Sequence, residues 1–269
     1  MKNLKLAAVC LSCLTMTGCS ALNFSVEGLI NAPKLTSEQS EIHQALIESV
    51  GSNITLKYPK NGEYRSAYVI ANIDDEPTDE AMVFYEYTSN GSEEDGLRVN
   101  ILDKDEDGKW YSVKELAGAG TDIDQVIISP MGSNNQTDVF VGYQNLTNDE
   151  KTMEIYSYTD GDFKRVALDT YSVLEPLDIN NDGYIELITI QRSTNNDTGA
   201  VTAKASMLNM KNNEITRGEN VDMCDNVTSY VSSKTGMLDS GRRAIFIDGL
   251  TADGKLQTEI IYYLSLIHI

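Results

Sequence analysis

Asp178-Ile-Asn180-Asn-Asp182-Gly183-Tyr184-Ile-Glu186 carries oxygen side chains at positions 1, 3, 5 and 9, with the Tyr184 carbonyl at position 7. A hard cation such as calcium takes about six to eight oxygen ligands, and glycine at position 6 allows the sharp turn that aims them inward. The predicted chemistry is cation binding, with Asp178, Asn180, Asp182, Tyr184 and Glu186 as ligands and calcium as a structural cofactor. A full EF-hand also needs a glutamate at position 12, where this chain has Thr189 inside a strand-like run. A shorter loop feeding a strand is therefore expected. The competing reading is a turn that binds nothing, since Asn, Asp and Gly favour turns unaided.

Weaker copies of the pattern occur elsewhere. Asn72, Asp74, Glu76 and Glu80 keep oxygens at the same offsets, but Pro77 replaces the glycine. The stretch from Ser129 to Asp138 has lost most acids and is expected to be structural. Asp103, Asp105, Asp107 and Gly108 resemble the motif, yet Tyr111 stands at position 9, and their place before Trp110 fits a hairpin turn better.

These loops belong to a repeat. Each of four copies is a strand, a polar loop and a strongly apolar strand, and the anchors Glu80, Asp138, Glu186 and Arg243 lie 58, 48 and 57 residues apart. A later turn marks the first three copies: Asp107-Gly108, Asp160-Gly161 and Asn212-Asn213. The unit reads as four strands in roughly 50 residues, the size of a propeller blade, whose sheet must stack on neighbours to bury its faces. The predicted fold class is all-β: a partial, truncated β-propeller of four-stranded blades over residues 52–263. One short helix precedes it at 36–51. Thr36 and Gln39 form its capping box, Ile42, Leu46 and Val50 recur at four-residue steps, and Gly51 stops it.

The acidic loop followed by Glu186-Leu187-Ile188 resembles the FG-GAP/VCBS repeat of integrin-type β-propellers, over roughly residues 60–263. The resemblance implies about seven blades, calcium in loops between the first two strands of some of them, and adhesion or protein and glycan binding more often than catalysis. The chain departs from the family in having one complete loop among four and no evident Phe-Gly or Gly-Ala-Pro signature.

Residues 1–18 have Lys2 and Lys5, no acid, and an apolar run from Leu6 to Met16, the plan of an export signal. Leu14-Thr-Met-Thr-Gly18-Cys19 resembles the lipobox of bacterial lipoproteins, which implies acylation of Cys19 and a tether over 19–35. The expected location is the bacterial cell membrane, lipid-anchored on its extracytoplasmic side. One acyl chain holds only marginally, so stable attachment needs the several chains of that modification. With Cys10 and Cys13 removed and Cys19 lipidated, Cys224 is left alone and is expected to be a buried small hydrophobe. The last six residues, Leu264 to Ile269, resemble the translation of a transposon end used in preparing sequencing libraries. That predicts an artefactual tail, a longer natural chain, and His43 as its remaining histidine, a solvated surface group.

The formal charge is −20, and loss of the two signal lysines makes it −22. So acidic a surface repels nucleic acid, leaving cations, neutral molecules and basic proteins as partners. No nucleophile elbow, His-Glu-x-x-His, Cys/His cluster or P-loop is present, and Gly118-Ala-Gly120 reads as a loop. The expected function is a non-enzymatic, calcium-stabilised module that binds an unidentified protein or glycan. The alternatives are an ancillary propeller of a surface enzyme, such as a carbohydrate-active hydrolase, and a spacer within the envelope.

Overall fold

The computed structural model describes residues 35–88, 96–132, 136–145, 150–195, 197, 199–211, 214–224 and 227–263. The expected signal, Cys19, nearly all of the tether, the Asn212-Asn213 turn and the 264–269 tail lie outside them.

Helix α1 spans Ser37–Val50. Its start is the capping box: the backbone N–H groups of Thr36 and Gln39 each donate to the other's side-chain oxygen at 3.1 Å. Its end is Gly51, at φ 85°, whose N–H bonds the Ile47 carbonyl at 2.9 Å. Ile42, Ala45 and Leu46 are buried in one cluster with Tyr68, Ala81, Val83, Tyr85, Leu102 and Trp110.

Everything else regular among the described residues is antiparallel β. Sheet one contains β1 (Ile54–Leu56), β2 (Tyr68–Ala71), β3 (Glu80–Tyr87), β4 (Leu97–Lys104) and β5 (Trp110–Ala117), with β1 and β2 both paired to β3. Sheet two is β6 (Asp122–Ser129), β7 (Asp138–Gln144), β8 (Lys151–Thr159) and β9 (Asp162–Tyr171), in that order. Sheet three is β10 (Val173–Leu177), β11 (Glu186–Thr194), β12 (Val201–Lys211) and β13 (Glu214–Arg217), with β14 (Val221–Asp222) added to β12. Sheet four holds β15 (Val227–Met237), β16 (Arg243–Thr251) and β17 (Leu256–Tyr262). The four strand–loop–strand copies are therefore β2–β3, β6–β7, β10–β11 and β15–β16. Two expected turns sit as read, Asp107-Gly108 between β4 and β5 and Asp160-Gly161 between β8 and β9, with Gly108, Asp160 and Gly161 at positive φ.

Consecutive sheets share cores. Along β3, Ala81, Val83 and Tyr85 pack with the helix, while Met82 and Phe84 pack with Val139, Val141 and Tyr143 of β7. Phe140 points the other way, into a cluster with Leu187 of β11, and Ile188 and Ile190 join Ile245 and Ile247 of β16. Alternation along a strand thus lets β3, β7 and β11 each serve two cores. The same alternation corrects one anchor. Residues one and three past Glu80, Asp138 and Glu186 face the preceding core; in sheet four those residues are Ile245 and Ile247, so Ala244, not Arg243, holds the anchor position. The turn there is shorter, closed by Leu238 N–H on the Arg242 carbonyl at 2.9 Å, and it shifts the register by one. The opposite face of sheet four leaves Leu256, Ile260 and Tyr262 exposed.

Candidate functional site

In three loops the acid that opens the second strand reaches back seven residues to a backbone N–H. Glu80 Oε2 accepts from Ile73 at 2.8 Å, Asp138 Oδ2 from Met131 at 3.2 Å, and Glu186 Oε2 from Ile179 at 3.0 Å. All three carboxylates are buried. Burial holds each above its usual range, and the donated N–H bonds pull back against it. Glu80 is pushed up to about 7, the charges of Asp74 and Asp103 adding to burial. The anchor acids are thus loop closures, including Asp138, whose loop has lost the other acids.

The 178–186 loop folds around its own side chains. Asp178 accepts from the N–H groups of Asp182 at 3.0 Å and Gly183 at 3.2 Å, and Asn180 Oδ1 accepts from Asp182 at 2.8 Å. Asn181 at φ 63° and Gly183 at φ 96° supply the left-handed turns this path requires. The Asn180 amide donates to Asp182 Oδ2 at 3.0 Å and Glu186 Oε1 at 2.8 Å. Arg243 reaches over from sheet four, its guanidinium 3.3 Å from Asp178 Oδ2 and donating to the Asp178 carbonyl at 3.1 Å.

Chemically the donor set fits calcium: three carboxylates, one amide and the Tyr184 carbonyl within nine residues, all hard oxygens. In its arrangement the Asn180 NH2 lies between two carboxylates where a cation would go, and no group of three or more His, Cys, Asp or Glu converges as a metal cage among the described residues. Of the weaker candidates, Asn72 donates its amide to the Glu76 carbonyl at 2.6 Å, and Asp74 caps the Glu76 N–H at 2.8 Å. The Asp103–Gly108 segment is a hairpin turn, as expected, with Asp105 Oδ1 accepting from Asp107 at 3.0 Å and Lys109 at 2.9 Å. Gly118 and Gly120 are a connection between β5 and β6, kept bare by close approach to Tyr143.

Two expectations are corrected. His43 is only half-exposed: its Nδ1 lies 2.8 Å from the hydroxyl of Tyr68, which the helix covers. Cys224 is exposed, because it follows the short edge strand β14, with its N–H on Glu259 Oε2 at 2.8 Å.

A second concave feature draws on residues outside the loop motif. A cavity of about 620 Å³ is walled by the edge strands β6, β10 and β15 and by residues 61–64. Asp124, 1 % exposed, is the polar hub of its wall: it accepts from Asn61 at 2.8 Å and Tyr171 at 2.6 Å and pairs with Lys151 at 2.9 Å. Gln125 bonds the Leu174 carbonyl at 3.3 Å, and Glu175, raised by burial, accepts from Ser233. Charged residues in otherwise apolar first strands were the available signal for this wall.

No family model matches the chain, and no curated protein does. A solved structure of a mannose phosphorylase from Leishmania mexicana, in complex with phosphate ion, is similar at a TM-score of 0.31 and 11% identity, covering 85% of this chain and 73% of that one.

Proposed function

We propose that this chain is a non-enzymatic binding module, anchored through acylated Cys19 on the extracytoplasmic face of a bacterial membrane. Its sheets are blades of a partial β-propeller of the FG-GAP/VCBS kind. The observation that carries this reading is the shared cavity. Blades set around an axis bring their first strands together, and β6, β10 and β15 wall one space. Its polar wall, with Asn61, Gln125, Glu175 and Ser233, suits a neutral polyhydroxylated ligand such as a glycan or a basic protein segment. Calcium is a structural cofactor of the 178–186 loop in this reading, held by Asp178, Asn180, Asp182, Tyr184 and Glu186 once Asn180 turns its oxygen inward. Bound there, it neutralises carboxylates that repel one another.

Glu175 favours a second reading, a glycan hydrolase, because a carboxyl held above its usual range on a cavity wall has the property of a general acid. Titration of the purified protein against a panel of oligosaccharides, with product analysis, separates the two. Saturable binding without turnover supports the module; turnover lost in Glu175→Gln replaces it with the enzyme. For calcium, Asp182→Ala lowers the melting temperature in calcium and removes the calcium response, and an unchanged response refutes that part.

A further inference from the structure

Glu175 stands where the first two sheets carry an apolar side chain. Opposite the second residue past each loop-closing acid, sheet one has Val69, paired with Met82, and sheet two has Ile127, paired with Phe140. Sheet three has Glu175, paired with Ile188. Val69 and Ile127 each pack in the core that their sheet shares with the next. Glu175 lies on the face of β10 that carries Val173 and Leu177, which pack in the core of sheets three and four. A carboxyl at such a position is desolvated and gains no apolar packing in return. A residue that breaks the local rule of its own repeat, on the wall of a cavity, marks a place kept for function rather than for folding.

The charge of Glu175 is also unbalanced. Its Oε1 accepts from the Ser233 hydroxyl, and none of the ion pairs among the described residues uses it. The cavity wall sets three acids, Glu63, Asp124 and Glu175, against one base, Lys151, and that base is spent on Asp124 at 2.9 Å. Two acids are left over, Glu63 exposed at the rim and Glu175 half-buried. A concave, partly apolar wall with an excess of one sign concentrates the field inside it, here favouring a cation. Beside Glu175 the wall offers the hydroxyls of Ser172 and Ser232. A single carboxylate among hydroxyls matches an ammonium group, which donates to an anion and to neutral oxygens alike.

We propose that the cavity takes an amino sugar: a polyhydroxylated ring whose protonated primary amine docks on the Glu175 carboxylate, with ring hydroxyls on Ser172 and Ser232. This rests on the reading of the cavity as a glycan site and narrows it, making Glu175 the residue that selects a free amine over a hydroxyl or an acetamide. The volume, about 620 Å³, is that of a small-molecule site.

Calorimetric titration of the purified chain compares three disaccharides of the same linkage, the glucosamine dimer, the N-acetylglucosamine dimer and cellobiose, in buffer about one unit below the pKa of the amine. The glucosamine dimer should bind about tenfold or more tightly than the other two. Glu175→Gln keeps the shape and the acceptor for Ser233 but removes the charge, and should bring the three affinities together. Glu175→Ile, which copies Ile127, should also lose the preference while melting no lower than the parent, since an apolar side chain suits the position. Equal affinities in the parent, or a preference that survives both variants, overturn the inference and leave the glycan-binding reading in place. Binding of none of the three overturns the glycan reading and the inference with it. Turnover of the glucosamine dimer that is lost in Glu175→Gln also overturns it, because Glu175 is then the acid of an enzyme.

Discussion

Replacing Asp124 by alanine tests whether the cavity wall is held by one buried carboxylate. Asp124 ties together three donors from separate parts of the chain: Asn61 before β2, Lys151 on β8 and the hydroxyl of Tyr171 at the end of β9. Tyr171 is 0% exposed, so its hydroxyl has no water to turn to, and an orphaned buried donor costs about 1–3 kcal/mol. Lys151 is 24% exposed at its side chain and keeps part of its hydration, so its share is discounted. Breaking a buried pair on one side costs about 3–5 kcal/mol, and this site falls within that range. For a domain of this size, about 2–4 °C of melting temperature accompanies each kcal/mol, so a fall of about 6–20 °C is expected. Tyr171→Phe removes one donor and leaves the acid two, and should cost only about 1 kcal/mol. The double variant should then cost less than the sum of the two, because the orphaned hydroxyl is gone. Urea unfolding of the four proteins measures the cycle. A cost below about 1 kcal/mol for Asp124→Ala, or strict additivity with Tyr171→Phe, refutes the hub.

Gly142→Ala should act on the same hub from behind, since a Cβ there meets the Tyr171 hydroxyl and comes 3.2 Å from the Phe140 ring; a loss of about 1–3 kcal/mol in urea unfolding is expected. Leu46→Ala, at a position 0% exposed between helix and sheet one, should cost about 3–5 kcal/mol, checked by the same unfolding and by early amide exchange in α1. Glu175 supplies a pH dependence. Its folded pKa is raised by burial above the ordinary 4.5, so within that window the native state holds more protons than the unfolded one, and stability falls as pH rises through it. Glu175→Gln should flatten that part of the stability–pH curve, and an unchanged slope would show that the group titrates normally.

Whatever depends on near neighbours was legible in the chain. The capping box at Thr36 and Gln39, the stop at Gly51 and the hairpin turns at Gly108 and Gly161 each involve contacts within a few residues, where backbone preference decides the outcome. The repeated strand, loop and apolar strand were equally readable, because alternation and turn residues are local too. What only the tertiary structure decided lies across strands and between sheets. The anchor of sheet four moved from Arg243 to Ala244 because a one-residue slip exchanges the faces of a strand, and packing of Ile245 and Ile247 chooses between them. Asp103 read as part of a turn, yet the pairing of Ala81 with Leu102 brings its charge to act on Glu80, distant in sequence. Arg243 against Asp178, Tyr68 against His43, and the cavity among β6, β10 and β15 follow the same rule. Residue types determine which groups carry charge and where the backbone can turn; which charges meet is decided by strand register and sheet stacking, and those are settled only when the cores close.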